Sequence, residues 1–218
     1  MPMSRSRASR RVYGGQSHAD RMAERRAAFV EAGFQLIGTE GYRAATVRAV
    51  CKQAGITDRY FYELFGNTEG LLIAVYEAVA EELQQALMHA LAEADDAIEA
   101  KTDAGLRAFF AFMRDDRNAR IMMAEILGVS AEVTSLYMRT SQTFATLLIT
   151  AASPLAPGIL DPDQPDNALF GQSLVGAIIY AAGAWALSGY REPEEVVIAS
   201  CRMIVIGAWR QRLETLGS

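Results

Sequence analysis

The sequence is poor in the residues that carry most enzymatic and metal chemistry. Its 218 residues include two cysteines, Cys51 and Cys201, and two histidines, His18 and His89. Two cysteines exclude a disulfide scaffold and a four-cysteine zinc site. Two histidines leave little from which to build a metal centre or a histidine-based triad. There is no Gly-rich phosphate loop, no Gly-x-Ser-x-Gly elbow, and no His-x-x-His or Cys-x-x-Cys pair. No catalytic residue, metal or cofactor is therefore expected, and the protein is not read as an enzyme. The arginines at the start precede no apolar run, so no secretory signal is read there and a cytoplasmic location is expected. No segment alternates apolar and polar residues between hairpin turns, so no sheet is expected.

What is present is helical periodicity in a globular composition, 51% apolar and 22% charged. The expected fold is all-α: an N-terminal three-helix helix-turn-helix domain joined to a C-terminal helical bundle, about nine helices in all. Residues 1–19 read as a flexible basic arm carrying Arg5, Arg7, Arg10 and Arg11. Residues 20–66 form the first domain and 67–218 the second. Net charge is −5, unevenly divided. Residues 1–65 hold 11 Lys and Arg against 6 Asp and Glu; the remainder holds 10 against 20. A basic head on an acidic body suggests that the head alone meets a polyanion.

The first helix starts at Asp20, with Met22, Phe29, Ala32, Gly33, Leu36 and Ile37 on one face, and ends at Gly38 and Gly41. Thr46 caps a helix over Val47–Ala54, Gly55 breaks it, and Thr57 caps a short helix ending near Phe65. Thr68 caps a long helix to about Ala94. Further helices are expected near 103–114, 118–128, 131–152, 166–189 and 193–215, with Ser153–Pro165 as the clearest loop.

Residues 46–65 carry the functional signal, because two short helices around a glycine turn make a helix-turn-helix. Val50, Ile56, Phe61 and Phe65 supply apolar anchors, and Cys51 fills the place where only a small side chain fits. The second short helix projects Thr57, Asp58, Arg59, Tyr60 and Tyr62 outward. In a DNA major groove Arg59 can donate two hydrogen bonds to guanine, and Tyr60 can meet a thymine methyl or a phosphate. Thr46 and Thr57 stand at helix N-termini, which suit phosphate.

Residues 22–76 resemble the DNA-binding domain of the TetR family of transcriptional regulators. The matching residues are the Phe29–Ala32 stretch, Gly41-Tyr42, Thr46-Val47-Arg48, Ala54-Gly55-Ile56-Thr57, Phe61-Tyr62, Phe65 and Glu69-Gly70-Leu71-Leu72. The resemblance implies that Thr46 and Arg48 contact phosphates or base edges. It also implies that Thr57, Asp58, Arg59 and Tyr60 read the groove and that Tyr62 holds a phosphate. Thr68 stands where the family often has lysine, and Glu63 and Leu64 where it often has an aromatic and a histidine.

In the body, residues 168–190 contain no charge. Their length would permit a membrane span, but Gln172, Ser173 and Ser188 interrupt them and no basic flank anchors them, so no membrane is expected. Gly171, Gly176, Ala177, Gly183 and Ala184 would allow close helix approach. With Val196, Val197, Met203, Ile204, Ile206 and Trp209 of the last helix they are expected to form a four-helix homodimer interface, as the resemblance also implies. A dimer would read a palindrome in double-stranded DNA. The middle helices hold Phe109, Phe110, Phe112, Met113, Met122, Met123, Tyr137, Met138 and Phe144, which read either as core or as an adaptable pocket. The pocket candidates are Phe109, Phe112, Met113, Met122, Glu125, Tyr137, Phe144 and Tyr180. Glu125 is either a polar group inside the pocket or the partner of Arg117 or Arg120. The expected function is a ligand-responsive regulator, a repressor released by a mainly apolar small molecule. A small-molecule carrier or enzyme on a helical bundle, and a general DNA-compacting protein, are the alternatives; sequence-selective DNA binding separates them.

Overall fold

The computed structural model describes residues 17–156, 160–161 and 163–216. The expected arm, with Arg5, Arg7, Arg10 and Arg11, lies outside them apart from residues 17–19. Those three begin the first helix. The Ser17 hydroxyl accepts from the Asp20 N–H at 3.1 Å, and the Asp20 carboxylate accepts from the Ser17 N–H at 3.0 Å. This reciprocal cap starts α1 (His18–Glu40) two residues before the expected Asp20. At its other end α1 continues through Gly38, where a stop was expected. Gly38 is buried, and a Cβ there would stand 2.5 Å from the Cβ of Arg117. The glycine therefore serves helix packing, and the chain turns only at Gly41, with φ of +93°.

The next two helices follow the sequence pattern to the residue. Thr46 caps α2 (Val47–Ala54) by accepting from the Ala49 N–H at 3.3 Å. Gly55 closes it in the left-handed conformation, φ +68°, which glycine adopts without a Cβ penalty. Thr57 precedes α3 (Asp58–Phe65), although its hydroxyl makes no capping bond. Phe29 of α1 meets Phe61 and Phe65 of α3 edge-to-face, at 5.6 and 5.9 Å between ring centres. Phe61 and Val50 are fully buried. Side chains of this size stabilise the fold by roughly 1.5–3 kcal/mol each when fully buried, so these anchors fix the angle of α2 and α3 on α1.

Asn67, not Thr68, caps α4 (Thr68–Glu93), accepting from the Gly70 N–H at 2.9 Å. The helix α5 (Ile98–Met113) begins before the expected residue 103. The segment expected as one helix at 118–128 is α6 (Asp116–Arg120) running into a π-helical turn, Ile121–Glu125. Then come α7 (Ala131–Ala152), a 3-10 turn at Ser153–Leu155, α8 (Pro165–Leu187) and α9 (Glu194–Leu216). Nine α-helices and no strand are present among the described residues.

The helices α1 to α3 form the head, and α4 enters the body from it. There α4, α5, α7, α8 and α9 surround a common interior. The pairs Arg107–Glu195, Arg114–Glu194 and Arg202–Asp103, at 2.8, 2.5 and 2.6 Å, tie α5 to α9. Apart from Glu194, whose side chain is 18% exposed, their side chains are 40% exposed or more and screened by solvent, so the pairs set register more than stability. Gly171 faces α7, where a Cβ would stand 3.0 Å from the Ala145 carbonyl oxygen. That glycine lets two helices of the same chain approach and is not on the face expected to meet a second copy.

Candidate functional site

The head presents one polar, partly basic face. Thr46, Arg48, Thr57, Asp58, Arg59 and Tyr62 are all exposed, on adjacent helices held by the phenylalanine cluster. Tyr62, at 54% exposure, is a large side chain of α3 left to solvent, its ring edge-on to Phe61. Tyr60 departs from the expected outward projection. It is half-buried, and the Arg25 guanidinium stacks 3.8 Å above its ring. This cation–π contact turns Tyr60 into a link between α1 and α3. Cys51 is half-buried, where full burial was expected. Desolvation, then the nearby Asp58, push its thiol above the ordinary range. Sequence reasoning passed over Arg43 and Lys52, which are exposed cations of the head. Glu63 is exposed.

The body contains a cavity of about 120 Å³. Of the eight pocket candidates, Phe109, Met113, Met122, Tyr137 and Phe144 line it. Phe112 and Glu125 do not, and Tyr180 is 81% exposed on the outer side of α8. The reason for Tyr180 is helical phase, since the neighbouring Ile178 and Ile179 turn inward. Trp209, expected on a dimer face, is 2% exposed and lines the cavity with Val205, its ring against Phe170. Ile206 is also buried. Polar groups interrupt the lining at Tyr76, Tyr137, Thr140 and Ser141 on one side and at Lys101 and Thr102 elsewhere. Burial raises the Tyr76 phenol to about 12, while its hydrogen bond with Thr140 acts the other way. Tyr76 therefore stays a neutral donor at any physiological pH.

Between cavity and head lies the π-helical turn. Met122 and Met123 line the cavity from it, while Glu125, at its end, faces the head. The Glu125 carboxylate accepts from the backbone N–H of Tyr42 at 2.8 Å. Both sequence readings of Glu125 are thereby corrected. It is outside the cavity, and Arg117 and Arg120 bond elsewhere. Arg117 pairs with Asp115 at 2.6 Å and donates to Gln35 at 3.0 Å; Arg120 donates to the Thr39 carbonyl at 3.0 Å. All three side chains hold the end of α1 and the turn after it. The Tyr42 hydroxyl in turn lies 3.3 Å from that of Thr68, at the start of α4. A second tie joins Ser130, the cap of α7, to Glu69 of α4 at 2.7 Å.

The profile of bacterial regulatory proteins of the tetR family matches residues 29–75, a stretch running from the core of α1 into α4. Over that stretch, about a fifth of the chain, it is similar to regulators of the tetR family. A curated relative, the HTH-type transcriptional regulator BetI of Stenotrophomonas maltophilia (strain R551-3), is 35% identical over 72 residues. That match covers 33% of this chain and 37% of the relative. The fold resembles that of the fatty acid degradation regulator FadR of Bacillus halodurans, with a TM-score of 0.70 and 18% identity over 84% of this chain and 95% of the other. FadR of Bacillus subtilis, in complex with stearoyl-CoA, gives a TM-score of 0.67 and 18% identity over 84% and 98%. At this identity the likeness concerns the fold alone.

Proposed function

We propose that this protein is a ligand-responsive repressor of the TetR family: a homodimer that binds a palindromic operator and leaves it when a mainly apolar molecule enters the body. In this reading residues 20–66 read DNA, and residues 67–218 bind the ligand and form the dimer. Thr46, Arg48, Thr57, Asp58, Arg59 and Tyr62 meet DNA, and Tyr60 acts by holding α3 in place. The observation that carries the proposal is the π-helical turn, whose Met122 and Met123 line the cavity while its Glu125 holds the Tyr42 N–H. A ligand pressing on that turn and an operator gripping the head would favour different positions of one element, which is what coupling between two sites requires. The lining suits a long alkyl chain, and the stearoyl-CoA in the similarly folded Bacillus subtilis FadR points the same way.

The dimer is supported by the outer faces of α8 and α9. Leu169, Tyr180 and Leu187 on α8, and Val196, Met203 and Ile204 on α9, are more than half exposed. The α8 helix is long and apolar enough to cross a membrane, with mean hydropathy 1.4 and 33% of that stretch buried. Its exposed apolar side is accounted for by a second copy.

The test is an electrophoretic mobility shift with DNA upstream of the protein's own gene, with and without palmitoyl-CoA. Selective binding that palmitoyl-CoA abolishes supports the proposal. Equal binding to random DNA, or none, removes it.

A further inference from the structure

Lys101 is the one charged residue lining the cavity among the described residues. It is also one of only two lysines in the sequence, against 19 arginines. Its side chain is 15% exposed, its Nζ lies 3.0 Å from Asp96, and it donates to the Leu91 carbonyl at 3.3 Å. An ammonium carries three donors, and these partners engage two. Asp96 is 84% exposed, so its pairing with Lys101 is the readily exchanged one. Apart from Lys101, Thr102 and the group of Tyr76, Tyr137, Thr140 and Ser141, the lining is apolar, with Leu83, Leu87, Ile98, Leu106, Phe109 and Trp209. At the other end of α5 stands Met113, which lines the cavity together with Met122 and Met123 of the π-helical turn.

We infer that Lys101 receives the anionic end of a long-chain amphiphile, with the alkyl tail running along α5 to the methionines of the π-helical turn. This rests on the ligand-responsive reading above and adds the ligand's class, its polarity and a length requirement. Lys101 and Met113 are separated on one helix by about 18 Å at 1.5 Å per residue. An extended chain advances about 1.2 Å per bond, as backbone geometry illustrates, so roughly fifteen bonds bridge the two ends. A shorter chain held at Lys101 stops before Met122 and leaves the turn untouched. Thioether side chains at the far end yield to tails of somewhat different length.

Two ligand sources join an anion to a long alkyl chain, a free fatty acid with its carboxylate and an acyl-CoA with its phosphates; the span of roughly fifteen bonds applies to the free acid, because the pantetheine arm separates phosphate from tail in the acyl-CoA. The experiment uses the full-length protein and follows the fluorescence of Trp209, which lines the cavity. Palmitate, palmitoyl-CoA, methyl palmitate and octanoate are titrated into the wild type, K101M and D96A. K101M should weaken whichever anionic palmitoyl ligand uses this end by about tenfold, the loss expected for one charge-assisted hydrogen bond. Methyl palmitate should bind both proteins equally, and octanoate should bind without releasing DNA. D96A, by removing the competing carboxylate, should tighten the same anionic ligand, a gain that a merely structural lysine would not give. If K101M affects only palmitate the source is the free acid; if only palmitoyl-CoA, the thioester. Equal losses for methyl palmitate, no loss for either anionic ligand, or no binding of any palmitoyl compound would overturn the inference. So would a loss on Tyr137→Phe with none on K101M, which places the anion at the opposite end. DNA binding by the ligand-free protein, measured in parallel, separates failure of this inference from failure of the regulator reading.

Discussion

Single residues divide into those that meet a partner and those that hold them in place. Arg59 is exposed on α3 and, in the proposed complex, donates to base edges. Arg59→Ala should cost about 1–3 kcal/mol at the preferred operator and much less on random DNA, so selectivity falls in competition binding. Tyr62→Phe removes a hydroxyl offered to a phosphate and should weaken all sites alike, by a factor of a few. Gly38→Ala tests the packing of α1 on α6. Its new methyl would stand 2.5 Å from the Arg117 Cβ and 3.0 Å from its Cα, and overpacking of this kind costs about 1–3 kcal/mol, read as a lower denaturation midpoint. At Cys51, a thiol pushed upward is less ionised near neutrality. Alkylation by iodoacetamide at pH 7.5 should therefore run slower than for a free thiol in solution, against a redox-sensing role.

At the scale of elements, the head was legible in the sequence and the junction was not. The α2 and α3 limits follow from Thr46, Gly55 and Thr57, residues whose local chemistry decides the backbone whatever lies around them. Gly38 misled because a glycine that ends a helix and a glycine that admits a neighbouring helix look alike until the neighbour is known. Glu125 misled for a related reason. Its apolar sequence neighbours Met122 and Met123 do face the cavity, but the π-helical turn rotates Glu125 toward Tyr42, and no periodicity argument anticipates that extra residue per turn. Five of the eight residues proposed for the cavity, chiefly from aromatic and methionine content, line it, while most of its aliphatic wall was not named. Lys101 was missed because it fell before the helix expected from residue 103, where a lone lysine reads as surface. The junction makes its own prediction. Glu125→Ala leaves the Tyr42 N–H without its acceptor and should lower stability by about 1–3 kcal/mol. It should also keep ligand binding, followed by Trp209 fluorescence, while blunting ligand-driven release of DNA. Loss of both together would make Glu125 a structural residue only.

The whole molecule separates its tasks by charge and by surface. Acidic residues concentrate in the body and basic ones toward the head, so a long polyanion is attracted at one end and repelled at the other. In the proposed dimer the apolar outer faces of α8 and α9 would set two heads on one side of a twofold assembly. Replacing Tyr180 and Met203 by glutamate should halve the mass seen in sedimentation and weaken operator binding, because one head alone grips one half-site. The most direct measurement of the central claim, that paired α3 helices read a duplex, is selection of bound DNA from a random pool by the ligand-free, full-length protein. The account predicts enrichment of an inverted repeat whose half-sites lie about one helical turn, or a multiple of it, apart. Recovery of unselected sequence, or of a single unrepeated motif, would contradict it.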